Sequence, residues 1–318
     1  MSTYRYSVVD CDVSDRRALE SYRAKRFEWT NWLDDDEHHA IWNVIAQMVW
    51  REVAFQTLAR VADDDQNSAL NNPLIQEAIV YGHVAMQVLA IRRLTDKSST
   101  VLSLTKLLSD ICSNRALLTR ENYVCFDGLP YDYDKVEEEH YRTHRQGAVW
   151  LDTTGPNAFD AARRAHEQFD RLCGTNPIYR KRDDRLPVRK LVNTIEQWIS
   201  DCGATGIREW SHNYLAHAGS VHSRKAIADY SVTGAKIGDA ISGLAKATEA
   251  VSAYLLYSSG RLNALMPTPQ FDQFERLKNP ALVTPSALDL SMIWSQIADS
   301  YDESLDDVEA KLTAGASS

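Results

Sequence analysis

Several signals are scarce in this chain, and each scarcity removes a class of function. Five cysteines occur in 318 residues and none forms a C-x-x-C pair, so a zinc ribbon or redox dithiol has no sequence footing. No P-loop and no G-x-G-x-x-G is present, which leaves phosphate-cradling and dinucleotide readings unsupported. Positive charge is in deficit: 35 Lys plus Arg stand against 44 Asp plus Glu, a net −9. The whole-molecule field therefore repels nucleic acid, and any such contact has to be local. The longest runs without Asp, Glu, Lys or Arg are the 14 residues 78–91 and 210–223. Both fall short of the 18 or more of a membrane span, so no transmembrane helix is expected. The N-terminal MSTYRYSVVDCDVSDRR has an early Asp pair and no apolar core, so no secretory signal is expected. The thiols then read as reduced and the chain as cytoplasmic. At roughly 150 residues per domain, the length suits about two domains or one long helical array.

Alternating β-branched runs are nearly missing too, while apolar spacings of three and four dominate, so the fold class predicted is all-α. Over 38–62, Ile41, Val44, Ile45, Met48, Phe55, Leu58 and Ala62 form one stripe, with Arg51 inside it. Asn71-Asn72-Pro73 is a start signal, and the apolar 78–91 that follows reads as a helix enclosed by others up to Arg92-Arg93-Leu94-Thr95-Asp96. Ser98 to Thr100 are predicted to cap the next helix, over 100–117, with Leu104, Leu107, Leu108 and Ile111 inward.

Between 120 and 155 the period fails, giving Asp127-Gly128, Pro130 and an acidic, Tyr-rich stretch read as an irregular insertion. Helical spacing resumes over 157–173. A basic connector follows, and its Arg180, Lys181, Arg182 and Arg185 are the candidate RNA-contacting strip, the one concentrated positive field in an acidic chain. Val188, Leu191, Val192, Ile195, Trp198, Ile199 and Cys202 make the cleanest amphipathic helix, closed by Gly203. A short helix over 205–218 and a long one over 233–259 come next. In the latter, Gly234, Gly238 and Ser242 sit four apart, as for close approach of a neighbour. Four prolines then separate a helical domain, 1–265, from a C-terminal extension, 266–318, whose apolar helix is expected over 286–298.

Titratable groups concentrate in Arg208-Glu209-Trp210-Ser211-His212-Asn213-Tyr214-Leu215-Ala216-His217. On a helix Arg208 and His212 share a face, as do Asn213 and His217. A neutral His can take the proton of a ribose 2′-hydroxyl and an Arg can offset charge on phosphorus, so this set permits RNA cleavage without metal. The alternative is a packing helix with Ile207, Trp210, Tyr214 and Leu215 inward and ordinary hydrogen bonds at the histidines.

These residues, with IWNVIAQMVWREVAF (41–55), VLAIRRLTD (88–96), SLTKLLSDI and LLTRENYVC (103–125) and IREWSHNYLAH (207–217), resemble the HEPN superfamily, in particular its abortive-infection U branch. The resemblance implies a helical bundle, a metal-independent RNA endonuclease of anti-phage or toxin-antitoxin type, a homodimer with its motifs across the seam, and a protein partner from the same defence system. It implies no cofactor. His217 matches the motif His and Asn213 the polar residue within it. The motif Arg is not matched: its places hold Trp210, Ser211 and His212, and Arg208 lies about 180° round a regular helix from His217. Either another Arg supplies the charge, or the chain is a catalytically degenerate binding or assembly subunit. The dimer seam is expected near 205–218, where Trp210 and Tyr214 suit an interface.

Arg92, Arg93 and Asp96 form a second constellation, read alternatively as cations at a helix C-terminus, and Arg120-Glu121-Asn122 a third. Arg51 reads as snorkelling or ion-paired, or as a source of the missing charge. No metal site is expected, since His38-His39 cannot share one ligand position and Asp132-x-Asp134 lacks further ligands.

Overall fold

Asp15 starts the first helix: its carboxylate accepts the amides of Arg17 and Ala18, each at 3.0 Å. This computed structural model describes residues 4–36, 39–64, 68–98, 100–143, 150–216, 230–258, 260–261, 265 and 287–314. Its helices are α1 (Arg16–Thr30), α2 (Ile41–Asp64), α3 (Pro73–Leu94), α4 (Leu104–Ser113), α5 (Arg120–Cys125), α6 (Tyr133–Thr143), α7 (Phe159–Cys173), α8 (Val188–Asp201), α9 (Ala204–Ser211), α10 (Gly234–Glu249) and α11 (Ala287–Ala314). No strand occurs among the described residues; one isolated bridge joins Thr119 and Arg185. The all-α class holds.

The stripes become buried faces. Ile41, Val44, Ile45 and Met48 of α2, Leu191, Val192, Ile195 and Ile199 of α8, and Ile237, Ile241, Leu244 and Thr248 of α10 are all buried. α10 packs on α8, α2 and α3; α3 packs on α2 and α9; α4 lies on α8, and α5 and α6 both lie on α7. One continuous apolar cluster runs through these helices to Leu312 of α11. Caps fall where turn chemistry put them. Asn72 accepts the Leu74 amide at 3.0 Å with Pro73 next to it, and Gly203 takes φ +80° to close α8 and open α9.

Elsewhere the chain departs from its pattern. Ser98 and Thr100 make a turn of their own, and Ser103 caps α4 instead, accepting the Lys106 amide at 3.0 Å. The 120–155 stretch contains two helices, α5 and α6, because α5 is held by buried ion pairs that no apolar period records. Gly234 and Gly238 have no neighbour within 4 Å of an added Cβ. The close approach on α10 is Gly243, which lies directly against Cys202, the residue that ends α8. The last helix runs on through the acidic segment to Ala314 and docks on α10, α2 and α7. The five cysteines form no disulfide.

The largest departure is α3, which was expected to be enclosed. Its inner side is tied to α2: His83 Nε2 lies 3.1 Å from Glu52 Oε2, and Gln87 donates to the Met48 carbonyl at 2.9 Å. Burial pushes the Glu52 carboxyl pKa up, but hydrogen bonds from His83 and Gln56 outweigh it and leave it below the usual range. The outer side is bare, with Leu74 76% and Tyr81 66% exposed. By length and mean hydropathy (1.4 over 18 residues) α3 is the one helix among the described residues able to cross a membrane. The uncharged-run criterion missed it because Glu77 interrupts the run without lowering the average much.

Candidate nucleic-acid interface

The basic connector does not stand out as a strip. Arg180 turns inward, with Nε and Nη2 at 2.7 and 2.6 Å from Asp170 Oδ2 and Nη1 donating to the Tyr133 hydroxyl at 2.6 Å. Asp170 Oδ1 meets Arg120 Nη1 at 2.7 Å, and Arg120 also reaches Asp184 at 3.1 Å while its guanidinium lies 4.4 Å from the centre of the Phe169 ring. Arg120 is fully buried. Arg182 holds the N-terminal segment, donating to Asp12 Oδ1 at 2.8 Å and to the Asp12 carbonyl at 2.9 Å, with its guanidinium 4.1 Å from the Tyr131 ring centre. Carbonyls of the connector finish the job: those of Asp184 and Arg182 accept the amides of Arg120 and Glu121 at 2.8 and 3.1 Å, satisfying two donors in the buried first turn of α5. Of the four cations, only Lys181 and Arg185 are exposed.

Beside this network His166 is buried on α7, its Nε2 3.0 Å from the Tyr131 carbonyl. Burial first, then the positive charge of Arg180, pushes its pKa down to about 4, so it is neutral near pH 7. A cleft of about 630 Å³ opens at the Asp12–Arg182 pair, lined besides by Asp132, Lys135, Glu139 and His140 in mixed sign.

The second region is built on α9. Its buried face, Ala204, Ile207 and Ser211, sits on α3 and carries Arg208 across the end of that helix. Arg208 Nη1 donates to the Thr95 carbonyl at 2.9 Å, one of the last carbonyls of α3 that has no intrahelical donor. Its nearest carboxylate is Glu209, at 3.9 Å. Past Ser211 the chain widens into a π-turn, His212–Ala216, in which Asn213 Nδ2 returns to the Glu209 carbonyl at 2.9 Å. Here a cavity of about 280 Å³ is lined by Arg92, Asp96, Lys97, Arg208, Glu209, His212 and Asn213.

Three of the four expected catalytic residues, Arg208, His212 and Asn213, thus line one cavity, and the fold adds Arg92 and Asp96 from the second constellation. His217 lies outside the described residues. Arg92 makes no ion pair among the described residues, whereas Arg93 is turned to His39. Lys97, which also lines the cavity, is exposed, and Asp96 Oδ1 accepts the Ser98 amide at 2.7 Å. Three cations face two carboxylates, one of which also serves a turn. Arg51 pairs with Gln47 on its own helix at 3.1 Å. Trp210 and Tyr214 stack on each other, with ring centres 5.5 Å apart.

Lys97 had no role in the sequence reading; its signal was its place one residue past the Arg92–Asp96 cluster. No group of three His, Cys, Asp or Glu among the described residues is placed to hold a metal ion. Compared with family models, with curated proteins and with solved structures, the chain matches none.

Proposed function

We propose that the α3–α9 cavity binds and cleaves single-stranded RNA in the manner of a HEPN-like, metal-independent endonuclease of defence or toxin-antitoxin type. The observation that carries this reading is the meeting of Arg92 and Lys97 with Arg208, His212 and Asn213 around one cavity, from segments more than a hundred residues apart in sequence. Arg92 and Lys97 take the scissile phosphate, and Arg92 supplies the charge the family motif lacks at 210–212. An imidazole, His212 at the cavity or His217 from the motif, takes the 2′-hydroxyl proton. The 2′-oxygen then attacks phosphorus, the P–O5′ bond breaks, and the 5′-oxygen leaves with a proton from the second imidazole or from water. The products are a 2′,3′-cyclic phosphate and a 5′-hydroxyl.

A general base contributes roughly 10² to 10⁴-fold, so His217→Ala or His212→Ala should abolish cleavage of a labelled RNA without moving the melting temperature. Arg92→Ala should weaken RNA binding and make its affinity less sensitive to salt. Cleavage should survive EDTA. RNA left intact by the wild-type protein, with binding still dependent on Arg92, would replace this reading by the binding-subunit one. The occupation of Arg208 by the Thr95 carbonyl favours that second reading. Binding indifferent to Arg92 would end both.

A further inference from the structure

The bare side of α3 has a shape of its own. At 100° per residue, Leu74, Ala78, Tyr81, Gly82, Ala85 and Leu89 fall within one stripe about 100° wide, flanked by Ile75 and Met86. Between Leu74 and Leu89 the stripe contains no charged residue, and its large members are exposed. Gly82 at its centre has nothing within 4 Å of an added Cβ. On the other side of α3 from this stripe, a groove of about 290 Å³ between α2 and α3 is lined by Phe55, Leu58, Ala62, Leu70, Ile79 and Val80. An apolar face of this size on a single helix marks a contact surface.

We infer that this face is the seam of a homodimer in which two α3 helices pack antiparallel. Two observations select a second copy. The first is self-complementarity: an antiparallel register centred between Tyr81 and Gly82 sets Tyr81 over the partner's Gly82, Ala78 against the partner's Ala85 and Leu74 against the partner's Leu89. Bulk meets gap at the centre and small meets small beside it, which lets the axes approach to the short end of the usual 8–10 Å. The second is charge. The face has Glu77 near one end and the Arg92-Arg93 pair at the other, so antiparallel pairing brings opposite signs together and parallel pairing brings like signs together.

A lipid bilayer fits less well. The polar side of α3 is already engaged by Glu52 and Met48, and the acidic end and net −9 repel an anionic surface. The seam moves from α9, where the family pattern put it, to α3, and it does not depend on the RNA reading.

The test is sedimentation of the full chain at micromolar concentration. Wild type should run at twice the 35.9 kDa protomer. Gly82→Arg and Tyr81→Glu should keep the helical circular dichroism and melting temperature of a folded protomer while weakening association roughly 100-fold. Mixed Ala78→Cys and Ala85→Cys proteins should cross-link to each other under mild oxidation, and neither should cross-link at these positions with itself. A monomeric wild type, an undisturbed Gly82→Arg dimer, or Ala78→Cys self-links would overturn the seam. So would a wild-type monomer that co-sediments with phosphatidylserine-containing vesicles, which would assign the face to a membrane.

Discussion

Arg180 and Lys181 are adjacent in the chain and equal in charge, and the fold gives them opposite fates. Arg180 is nearly buried and makes an ion pair to Asp170 at 2.6 Å and a hydrogen bond to Tyr133 at 2.6 Å, whereas the Lys181 side chain is exposed. In Arg180→Ala, Asp170 keeps Arg120 at 2.7 Å but loses half its neutralisation while still buried. Breaking one partner out of a buried pair costs about 3–5 kcal/mol, and the surviving Arg120 contact places this case near the lower bound, about 3 kcal/mol. Against a total stability of about 5–15 kcal/mol that is a large fraction. Lys181→Ala should stay within about 0.5 kcal/mol. Urea denaturation followed by helical circular dichroism reads both directly: the midpoint should fall for Arg180→Ala at constant slope and hold for Lys181→Ala. Equal midpoints, together with equal losses of RNA affinity, would show that the connector is the RNA strip its composition suggested and that the Asp170 contacts carry little stability.

Two further outcomes follow from particular side chains. His166 is a base whose folded pKa is pushed down to about 4, so below about pH 6.5 the unfolded chain binds a proton that the folded chain refuses. Stability should therefore decline as pH falls from 6.5 toward 4, by about 3 kcal/mol over the whole window, and His166→Phe should flatten that slope in urea titrations at successive pH values. A variant that keeps the wild-type slope would remove His166 from the account. Gly243→Ala should lower the melting temperature by several degrees because the new methyl runs into Cys202, whereas Gly82→Ala, in the open, should raise protomer stability by up to about 1 kcal/mol through helix propensity. Matching shifts for the two glycines in calorimetry would contradict the packing described for α8 and α10.

The helices that sequence shows most plainly are those whose burial is apolar and whose ends carry turn residues. α8 and α10 satisfy both conditions, through Gly203 and Thr233, whose hydroxyl accepts the Lys236 amide at 3.3 Å, while α3 satisfies the second through Asn72-Pro73. α1 fails the first. It buries Arg23, which donates to the Phe126 carbonyl at 2.7 Å and to Cys11 Sγ at 3.0 Å, so its inner face reads as polar. α5 fails it more completely, since Arg120, Glu121 and Asn122 are all buried and their partners lie at Asp170, Asp184, Ser14 and the Leu117 carbonyl. Periodicity counts apolar side chains. It cannot see a helix whose inner face is neutralised by charges dozens of residues away, and for the same reason it cannot tell an enclosed apolar helix from one with a bare side, such as α3.

The cavity at α9 shows a different limit. Placing Arg208 opposite His217 assumed 100° per residue from 208 to 217, but the regular helix ends at Ser211 and a π-turn follows. In a π-turn the hydrogen bonds reach one residue further, so phase counted from Arg208 no longer predicts which side a later residue takes. The spacing argument against Arg208 therefore lapses, yet Arg208 gains nothing by it: its guanidinium holds the Thr95 carbonyl at the end of α3. Arg92 reaches the same cavity from one turn further back on α3, with no carboxylate partner among the described residues. The two arginines thus divide the work in space: one fixes the helix end that forms the wall, and the other keeps its charge available to the cavity. No spacing rule within a single helix contains that division, because it arises only where α9 crosses α3.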